Sequence, residues 1–246
     1  FSITINGQLM LTQLTKQLQD EGFELVMINT DGAEFIAPNS KESLFKSLCK
    51  SWEADTGFVL EYDNYSDLFI RDCNNYIGVF DDGSVKRKGA YEIDKQWHKN
   101  HSFRIVPIAV TNYFINNVPI RETIDGKEKS ILINDETFDI DVFDYMGLFK
   151  ARKGFSLYHK TIDNGKVVEN KLTKTLRYYV SKYNSGVYKY KHENHRKFRL
   201  ESGYNVTPIN KYSTDHEFKP NLYYYRNEAK KLIEPIESKE NQLTLL

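Results

Sequence analysis

The most informative segment of the sequence is Glu24-Leu25-Val26-Met27-Ile28-Asn29-Thr30-Asp31-Gly32-Ala33-Glu34-Phe35-Ile36-Ala37-Pro38. A run of apolar residues precedes Asn-Thr-Asp-Gly, and a run that alternates between apolar and polar residues follows it. Two strand-like runs around a short turn of Asn, Asp and Gly predict a β-hairpin. Asp31 would lie at its tip, where two stiff strands place a carboxylate to hold a metal ion at the floor of a cleft. A plain polar turn is the alternative, because Asp-Gly is a favoured turn dipeptide.

Apolar residues at helical spacing lie on both sides of this hairpin. They are Leu9, Met10, Leu11, Leu14 and Leu18 before it and Leu44, Phe45, Leu48, Cys49 and Trp52 after it. Gly22 and Gly57 would end these helices, and Asn39 with Glu42 predicts a capping box at the start of the second. Two such helices would cover one side of the sheet and leave the side at Asp31 for a substrate.

The composition is that of a globular protein, with 40% hydrophobic and 14% aromatic residues among 246. The length suits one large domain or two modest ones. The two cysteines, Cys49 and Cys73, lack metal-type spacing and favour a reduced, cytoplasmic setting. No apolar run reaches the length of a membrane span, and no signal peptide is visible. Because the chain begins with Phe1 rather than Met, we expect a fragment of a longer protein.

The net charge of zero hides a strong asymmetry. Residues 1–85 contain 14 Asp and Glu against 5 Lys and Arg, whereas residues 150–199 contain 14 Lys and Arg against 3 Asp and Glu. A nucleic-acid enzyme needs carboxylates that bind cations at the reaction site and basic residues that bind the phosphate backbone. Two ordinary solvated faces are the alternative.

A basic tripeptide follows two short strand patterns at 68–72 and 76–80 and a turn signal at 81–83. Lys86, Arg87 and Lys88, flanked by Gly89 and Tyr91, would grip a phosphate backbone that the glycine lets approach closely. A solvated basic turn is the alternative. Beyond it, a helix is predicted from Pro107, and the polar loop 125–129 is predicted to be a domain boundary.

The second half predicts a helix over the apolar residues from Phe138 to Phe149, then basic segments with interleaved tyrosines. Lys171, Lys174 and Arg177 lie in the first of these, and the run 188–192 is the second. Lys and Tyr in alternation suit contact with phosphate and packing on sugar or base. A half-exposed strand with a basic outer face is the alternative. A last amphipathic helix is predicted from Leu222 to Ile233, ending at Pro235.

Together these motifs resemble a family-B DNA polymerase of tailed-phage type. The hairpin 27–32 resembles the family's third polymerase motif, Tyr-Gly-Asp-Thr-Asp-Ser. Lys86-Arg87-Lys88-Gly89-Ala90 resembles the primer-binding motif Lys-Lys-Lys/Arg-Tyr-Ala, and residues 72–77 resemble the strand before it. The resemblance covers roughly residues 6–124. It implies an α+β fold with a palm-type antiparallel sheet, the catalytic hairpin covered by helices on one face, and a mixed, largely helical thumb.

The resemblance also implies domains and chemistry. Residues 1–124 would be the C-terminal part of the palm, 125–238 the thumb, and 239–246 a tail. Nucleotidyl transfer from a dNTP to the primer 3′-hydroxyl on primer-template DNA would use two Mg²⁺ ions, with Asp31 as catalytic ligand and the second carboxylate outside this chain. Lys86, Arg87, Lys88, Gly89, Tyr91, Lys171, Lys174 and Arg177 would contact DNA.

The sequence departs from the family pattern in several places. Asn29 replaces the first motif Asp, Gly32 replaces the Ser, Thr30 and Asp31 are kept, and Gly89 stands where the family has Tyr. The motif A Asp and the motif B Lys and Asn, which in the family lie N-terminal to this segment, are absent. The fragment alone is therefore expected to be inactive. A non-catalytic nucleic-acid-binding module, one part of a split polymerase, or a generic α+β domain remain alternatives.

The end of the chain, Gln242-Leu243-Thr244-Leu245-Leu246, resembles the peptide that bacterial polymerases insert into a sliding clamp. A Gln amide would fix the register, and adjacent apolar side chains would fill a hydrophobic pocket. The clamp-binding residues would be Gln242, Leu243, Leu245 and Leu246. A frayed hydrophobic end is the alternative.

Overall fold

The computed structural model describes residues 2–93, 102–183, 186–209 and 217–238. Helices and strands are mixed along these ranges, and the sheets are antiparallel, in agreement with the predicted α+β class. The chain divides into two compact units, with the border between Gly89 and Ala90. We call the residues up to Gly89 the first unit and those from Ala90 the second unit.

The first unit begins with the predicted helix, hairpin and helix. These are α1 (Ser2–Asp20), β1 (Glu24–Ile28), β2 (Ala33–Ile36) and α2 (Glu42–Thr56). Leu18 and Trp52 are buried between the helices, and Phe35 of β2 packs against the same cluster. The Trp52 indole N–H donates to the Met10 carbonyl over 3.1 Å. The helices therefore pack against one side of the hairpin, as predicted.

The predicted capping box at the start of α2 is wrong. Asn39–Lys41 form a 3₁₀ turn in which the Lys41 N–H donates to the Pro38 carbonyl, and α2 begins only at Glu42. Because this turn already bends the chain into helical geometry, Asn39 does not occupy an N-cap, and no side chain caps the start of α2. At the other end Gly57, with φ of 75°, donates to the Glu53 carbonyl and ends α2 as predicted.

The two predicted strands are confirmed as β3 (Tyr65–Asp72) and β4 (Asn75–Phe80), and a third strand, β5 (Val85–Arg87), follows them. They form a sheet in the order β3-β4-β5, while β1 and β2 pair only with each other among the described strands. A single palm-type sheet that includes the hairpin is therefore not formed by the described hydrogen bonds. After β5 the chain enters a 3₁₀ turn at Gly89–Tyr91.

The second unit opens with α3 (Ile105–Asn116) and α4 (Ile120–Ile124). The helix expected from Pro107 thus begins two residues earlier, and Asn117, in the left-handed conformation, caps its end. The hairpin β6 (Ser130–Ile133) and β7 (Glu136–Asp139) packs Ile131, Ile133 and Phe138 against Ile108. The loop 125–129 lies inside this unit, and the palm and thumb assignments stay predictions.

The helix predicted over Phe138 to Phe149 is wrong. This segment contains the end of β7, a 3₁₀ turn at Val142–Tyr145 capped by Asp141 and Asp144, and β8 (Met146–Lys150). Gly147 explains part of the difference, because glycine disfavours a helix interior. A Cβ on Gly147 would come within 2.9 Å of the Phe103 ring, so the strand there needs glycine for close packing.

The remaining strands build two sheets. They are β9 (Phe155–Asp163), β10 (Lys166–Leu172), β11 (Thr175–Ser181), β12 (Val187–Lys191), β13 (Arg196–Arg199) and β14 (Asn205–Pro208). One sheet has the order β10-β9-β12-β13 and the other β14-β11-β8. A buried cluster joins them, formed by Ala151, Leu157, Leu176, Tyr178, Val187, Leu200 and Val206. The expectation of a largely helical thumb is therefore wrong, since residues 130–208 are mainly strands.

The last helix, α5 (Leu222–Glu237), confirms the C-terminal helix prediction except at its end. It continues two residues past Pro235, where the Ser238 N–H donates to the Glu234 carbonyl. Asn221 caps its start by accepting from the Tyr224 N–H. Tyr225 anchors the helix, because its hydroxyl donates to the Tyr145 carbonyl over 2.8 Å and accepts from the Val180 N–H over 2.9 Å.

Candidate nucleic-acid interface

The four-stranded sheet has one face turned away from the core. Tyr158 of β9 lies opposite Lys171 of β10 on one side and Tyr188 of β12 on the other, and Tyr188 lies opposite Arg199 of β13. Directly opposed residues in antiparallel strands point to the same side of the sheet. We call this side the outer face. It carries Ser156, Tyr158, Lys160, Ile162, Val167, Glu169, Lys171, Tyr188, Tyr190, Lys197 and Arg199.

The opposite side of the sheet belongs to the core. Leu157 and Val187 alternate with the outer residues and are buried against the second sheet. Lys189 and Lys191 also lie on this inner side, since they alternate with Tyr188 and Tyr190. Because Lys and Tyr alternate along β12, its tyrosines lie on the outer face and its lysines lie on the inner side of the sheet. The cations beside the tyrosines come instead from β9, β10 and β13, and of these Lys171 on β10 was predicted from the sequence, whereas Lys160, Lys197 and Arg199 were not.

Tyr188 is held between two cations at the centre of the outer face. The Lys160 ammonium lies 4.9 Å from the centre of the Tyr188 ring, and the Arg199 guanidinium lies 5.9 Å from it. The Arg199 Nε–H also donates to the Tyr188 hydroxyl over 3.4 Å. Cation–π contacts of this kind hold the Tyr188 ring and the two cations beside one another, where a ligand can reach all three.

Glu169 is the carboxylate on this face, and two lysines surround it. Its Oε1 lies 2.9 Å from the Lys197 ammonium and 3.4 Å from that of Lys160. The hydrogen bond from Lys197 is the main cause that holds the pKa of Glu169 below its ordinary value. Lys197 is on β13 and Glu169 on β10, the two edge strands, so the sheet curves enough for their side chains to meet above β9 and β12.

The outer face therefore combines four cations, Lys160, Lys171, Lys197 and Arg199, with one carboxylate and three tyrosines. Tyr190 continues the aromatic row toward the β12–β13 turn, where its hydroxyl pairs with His195 and its ring lies 5.8 Å from that of His192. Cations suit phosphate oxygens, and partly exposed tyrosine rings suit sugars or bases. This arrangement fits a nucleic-acid backbone.

Of the three second-half residues predicted to bind DNA, only Lys171 lies on the outer face. Lys174 is exposed in the β10–β11 connection, where its carbonyl accepts from the Ala151 N–H over 2.8 Å. Arg177 is half-buried on β11, in the other sheet. The structure thus brings Lys171 together with Lys160, Lys197 and Arg199 rather than with its neighbours in sequence.

Asp31 lies at the exposed tip of the β1–β2 hairpin, as predicted. The Asn29 side-chain oxygen accepts from the Asp31 N–H over 2.9 Å and from the Gly32 N–H over 2.8 Å. Asn29 therefore stabilises the turn through its side chain, while Thr30 and Asp31 point into solvent. Within the described ranges, no three His, Cys, Asp or Glu side chains are grouped to hold a metal ion.

Lys86 is engaged inside the first unit. Its ammonium donates to Asp63 Oδ2 over 2.6 Å and to the Tyr65 hydroxyl over 2.9 Å. Burial opposes the charge of Lys86, but these two hydrogen bonds outweigh it and raise the pKa of the ammonium above its ordinary value. Nearby, burial raises the pKa of Tyr65 to about 12 and also raises that of Glu34. Arg87 is half-buried and Lys88 exposed.

Gly89 and Tyr91, which flank the basic tripeptide, both have structural roles. Gly89 has φ of 61°, and a Cβ there would come within 2.3 Å of the Asn74 carbonyl oxygen. The close approach that this glycine permits is thus to the β3–β4 turn. Tyr91 is 0% exposed, and its hydroxyl donates to the Leu232 carbonyl over 2.9 Å. Tyr91 is therefore a core residue of the second unit, and its predicted contact with DNA is incompatible with this burial.

The Asp63–Lys86 pair makes a pH prediction for the stability of the first unit. The hydrogen bond from Lys86 lowers the pKa of Asp63. A carboxyl with a lowered folded-state pKa stabilises the fold above its unfolded pKa of about 4 and loses that contribution as the pH falls. We expect wild type to exceed Asp63→Asn in urea midpoint at pH 7 and the difference to shrink as the pH falls below about 4. A difference that stays constant as the pH falls from 7 through the acid range would mean that the carboxylate charge is not the cause.

Comparison with known proteins adds a distant structural similarity. No family model matches the chain, and no curated protein sequence matches it. The fold is similar to the structure of the family B DNA polymerase from the hyperthermophilic archaeon Pyrobaculum calidifontis, with a TM-score of 0.49 and 13% identity. The match covers 97% of this chain and 29% of that polymerase. At this level of similarity the family is not established.

Two further sequence predictions concern the end of the chain and its helices. The clamp-binding residues Gln242, Leu243, Leu245 and Leu246 lie outside the described residues. Among the helices that the structure does describe, none combines the length and apolar character needed to cross a bilayer.

Proposed function

We propose that this chain binds DNA through the outer face and contributes to DNA-templated DNA synthesis as the C-terminal part of a family-B DNA polymerase. The outer face is the observation that carries DNA binding, because it places four cations and three tyrosines on one side of one sheet. The polymerase assignment is supported by the motif at 27–32, which forms a hairpin with Asp31 exposed at its tip.

The geometry favours recognition of the backbone without reading of sequence. Lysine and arginine neutralise phosphates and release counterions, which gives affinity that is independent of base sequence. Tyrosine rings add stacking, which every base accepts. Sequence-specific readout requires side chains that reach base edges in a groove, such as bidentate Arg, Asn or Gln. The outer face carries Arg199 as its one such residue, and Tyr188 already accepts its Nε–H.

Asp31 is proposed as a Mg²⁺ ligand of the nucleotidyl-transfer site. A single exposed carboxylate suits a hard cation, but two ions require a second carboxylate, which we place outside this chain. Two bound Mg²⁺ ions would activate the primer hydroxyl and neutralise charge on the dNTP. The chain's own contribution is a rigid position for the Asp31 carboxylate, which the Asn29 side chain fixes through the turn.

A salt titration tests the proposed function. The purified chain should bind a fluorescent primer-template duplex, and the logarithm of the association constant should fall linearly with the logarithm of salt concentration. Four phosphate contacts predict a slope of about −3.6. Duplexes of unrelated sequence should give the same affinity and slope. Binding without salt dependence, or no binding at low salt, would contradict the proposal.

A non-catalytic nucleic-acid-binding module and one part of a split polymerase are the competing functions. Primer extension separates them. The chain alone with Mg²⁺ and dNTPs should incorporate no nucleotide, since the proposal places the second metal-binding carboxylate outside this chain. A polypeptide that supplies that carboxylate should restore incorporation, and Asp31→Asn should then abolish it while leaving DNA affinity unchanged. Incorporation that survives Asp31→Asn would exclude Asp31 as the ligand.

Three narrower parts of the proposal rest on the sequence alone. They are the tailed-phage type of the polymerase, a location in the cytoplasm, and attachment of the tail to a sliding clamp. Tethering to a clamp on DNA would raise the effective concentration of the polymerase at the primer end, even if the peptide itself binds weakly.

A further inference from the structure

The hairpin of β9 and β10 extends beyond the rest of its sheet. The last pair that β12 makes with β9 joins Val187 to His159, and the Lys160 N–H donates to the Gly186 carbonyl. β9 and β10 remain paired up to Asp163 and Lys166. From residue 161 to 168 the described structure is thus a two-stranded ribbon. Asn164 and Gly165, with φ of 47° and 76°, join its strands in the conformation of a type I′ turn.

The ribbon exposes an apolar pair on the outer face. Ile162 and Val167 lie directly opposite each other, 76% and 67% exposed. Val168 lies on the other side of the ribbon and is 37% exposed. Exposed aliphatic side chains are disfavoured in water, and contact with a partner would remove this pair from water.

The neighbouring rows of the outer face indicate which partner this is. Moving from the pair toward the sheet, the next row contains Lys160 opposite Glu169, and the row after it contains Lys171, Tyr158, Tyr188 and Arg199. Successive rows are two residues apart, about 6.8 Å along a strand, which is twice the spacing of about 3.4 Å between charges on one DNA strand. A strand of DNA whose phosphates lie on these cations would continue onto the apolar pair.

We propose that Ile162 and Val167 contact unstacked bases where a DNA duplex meets single-stranded DNA. This inference rests on the proposed DNA binding and assigns a form of DNA to the same face. Aliphatic side chains on DNA-binding surfaces act as wedges against base steps, and they contact bases most easily where those bases are already unpaired. Phosphates of the adjoining duplex lie on Lys160, Lys171 and Arg199.

The test compares two DNAs with three proteins. The DNAs are a blunt duplex and the same duplex with a single-stranded 5′ extension, which carries a fluorescent base analogue at the junction. The proteins are wild type, Ile162→Thr/Val167→Thr, and the control Val168→Thr on the opposite side of the ribbon. Threonine keeps the β-branched shape that suits a strand while it removes apolar surface. Circular dichroism checks that all three proteins are folded.

We expect wild type to bind the junction about tenfold more tightly than the blunt duplex, the increment expected from burying part of two aliphatic side chains. The double variant should lose this preference and its change in analogue fluorescence while it keeps wild-type affinity for the blunt duplex. Val168→Thr should retain both the preference and the fluorescence change.

Three outcomes would overturn the inference. If wild type binds both DNAs equally, or if the double variant keeps the preference, the pair does not contact junction bases although DNA binding stands. If sedimentation shows that wild type self-associates through the pair and the double variant is a monomer with unchanged DNA preference, the pair is a contact between copies. If neither DNA binds in a salt-dependent manner, the proposed function itself fails.

Discussion

Replacing Lys171 and Arg199 by glutamine is expected to weaken DNA binding about 10- to 100-fold at about 0.1 M salt. It should also reduce the slope of the salt dependence by about 1.8, because each phosphate contact contributes about 0.9 to that slope. Both residues are exposed on the outer face, and neither belongs to the buried cluster beneath it. The variant should therefore fold normally, and its loss should be the same for duplexes of different sequence.

The matched control removes two charges elsewhere in the second unit. Lys129→Gln/Lys230→Gln changes exposed lysines that lie off the four-stranded sheet, and it alters the net charge by the same amount. This control should change the affinity less than about threefold, because neither lysine lies on the outer face and salt screens exposed charges that do not contact the ligand. An equal loss in both variants would show that net charge, and not the outer face, attracts DNA.

Glu169→Gln, on the same face, is expected to strengthen DNA binding rather than weaken it. Glu169 binds Lys197 and Lys160, so its neutralisation removes a carboxylate that competes with phosphate for both ammonium groups. We expect tighter DNA binding. Fluorescence anisotropy at several salt concentrations measures all of these variants in one series. Weaker binding by Glu169→Gln would mean that the carboxylate positions the lysines for DNA rather than competing with it.

Local signals in the sequence were sufficient for the hairpin at β1 and β2, for β3 and β4, and for α5. In each case a periodic apolar pattern ends at a turn or cap signal only a few residues away, such as Asn29 to Gly32. The same local logic failed over Phe138 to Phe149. Apolar residues spaced by three and four positions fit a helix, but tertiary packing of Gly147 against Phe103 and Tyr178 favours the strand.

The outer face could not be predicted from local patterns. Its sheet has the order β10-β9-β12-β13, so Tyr158 meets Tyr188 and then Arg199 only through the pairing of strands distant in sequence. The alternation of Lys and Tyr at 188–191 was visible, but it places the two residue types on opposite sides. The burial of Tyr91 could not be predicted from local patterns either. Its hydroxyl donates to the carbonyl of Leu232, which lies 141 residues later in the chain.

Because β9 has one inner and one outer face, a substitution on its inner face is expected to lower the stability of the second unit strongly. Leu157→Ala should lower the free energy of unfolding of the second unit by about 2–5 kcal/mol, since it removes a buried side chain and leaves a cavity. Leu157 is 1% exposed and packs with Leu176, Val187 and Val206 between the two sheets. A loss of this size is a large part of the stability of a typical domain, about 5–15 kcal/mol.

Ile162→Ala is the matched control, on the same strand but on the outer face and 76% exposed. It should cost less than about 1 kcal/mol, because it changes strand propensity without opening a cavity. Since the chain has two units, hydrogen exchange of the β11 and β12 amides in increasing urea measures the second unit separately from the first. If Ile162→Ala destabilises these strands as much as Leu157→Ala does, the inner and outer faces are wrongly assigned. The cations and tyrosines would then not share the exposed side on which DNA binding depends.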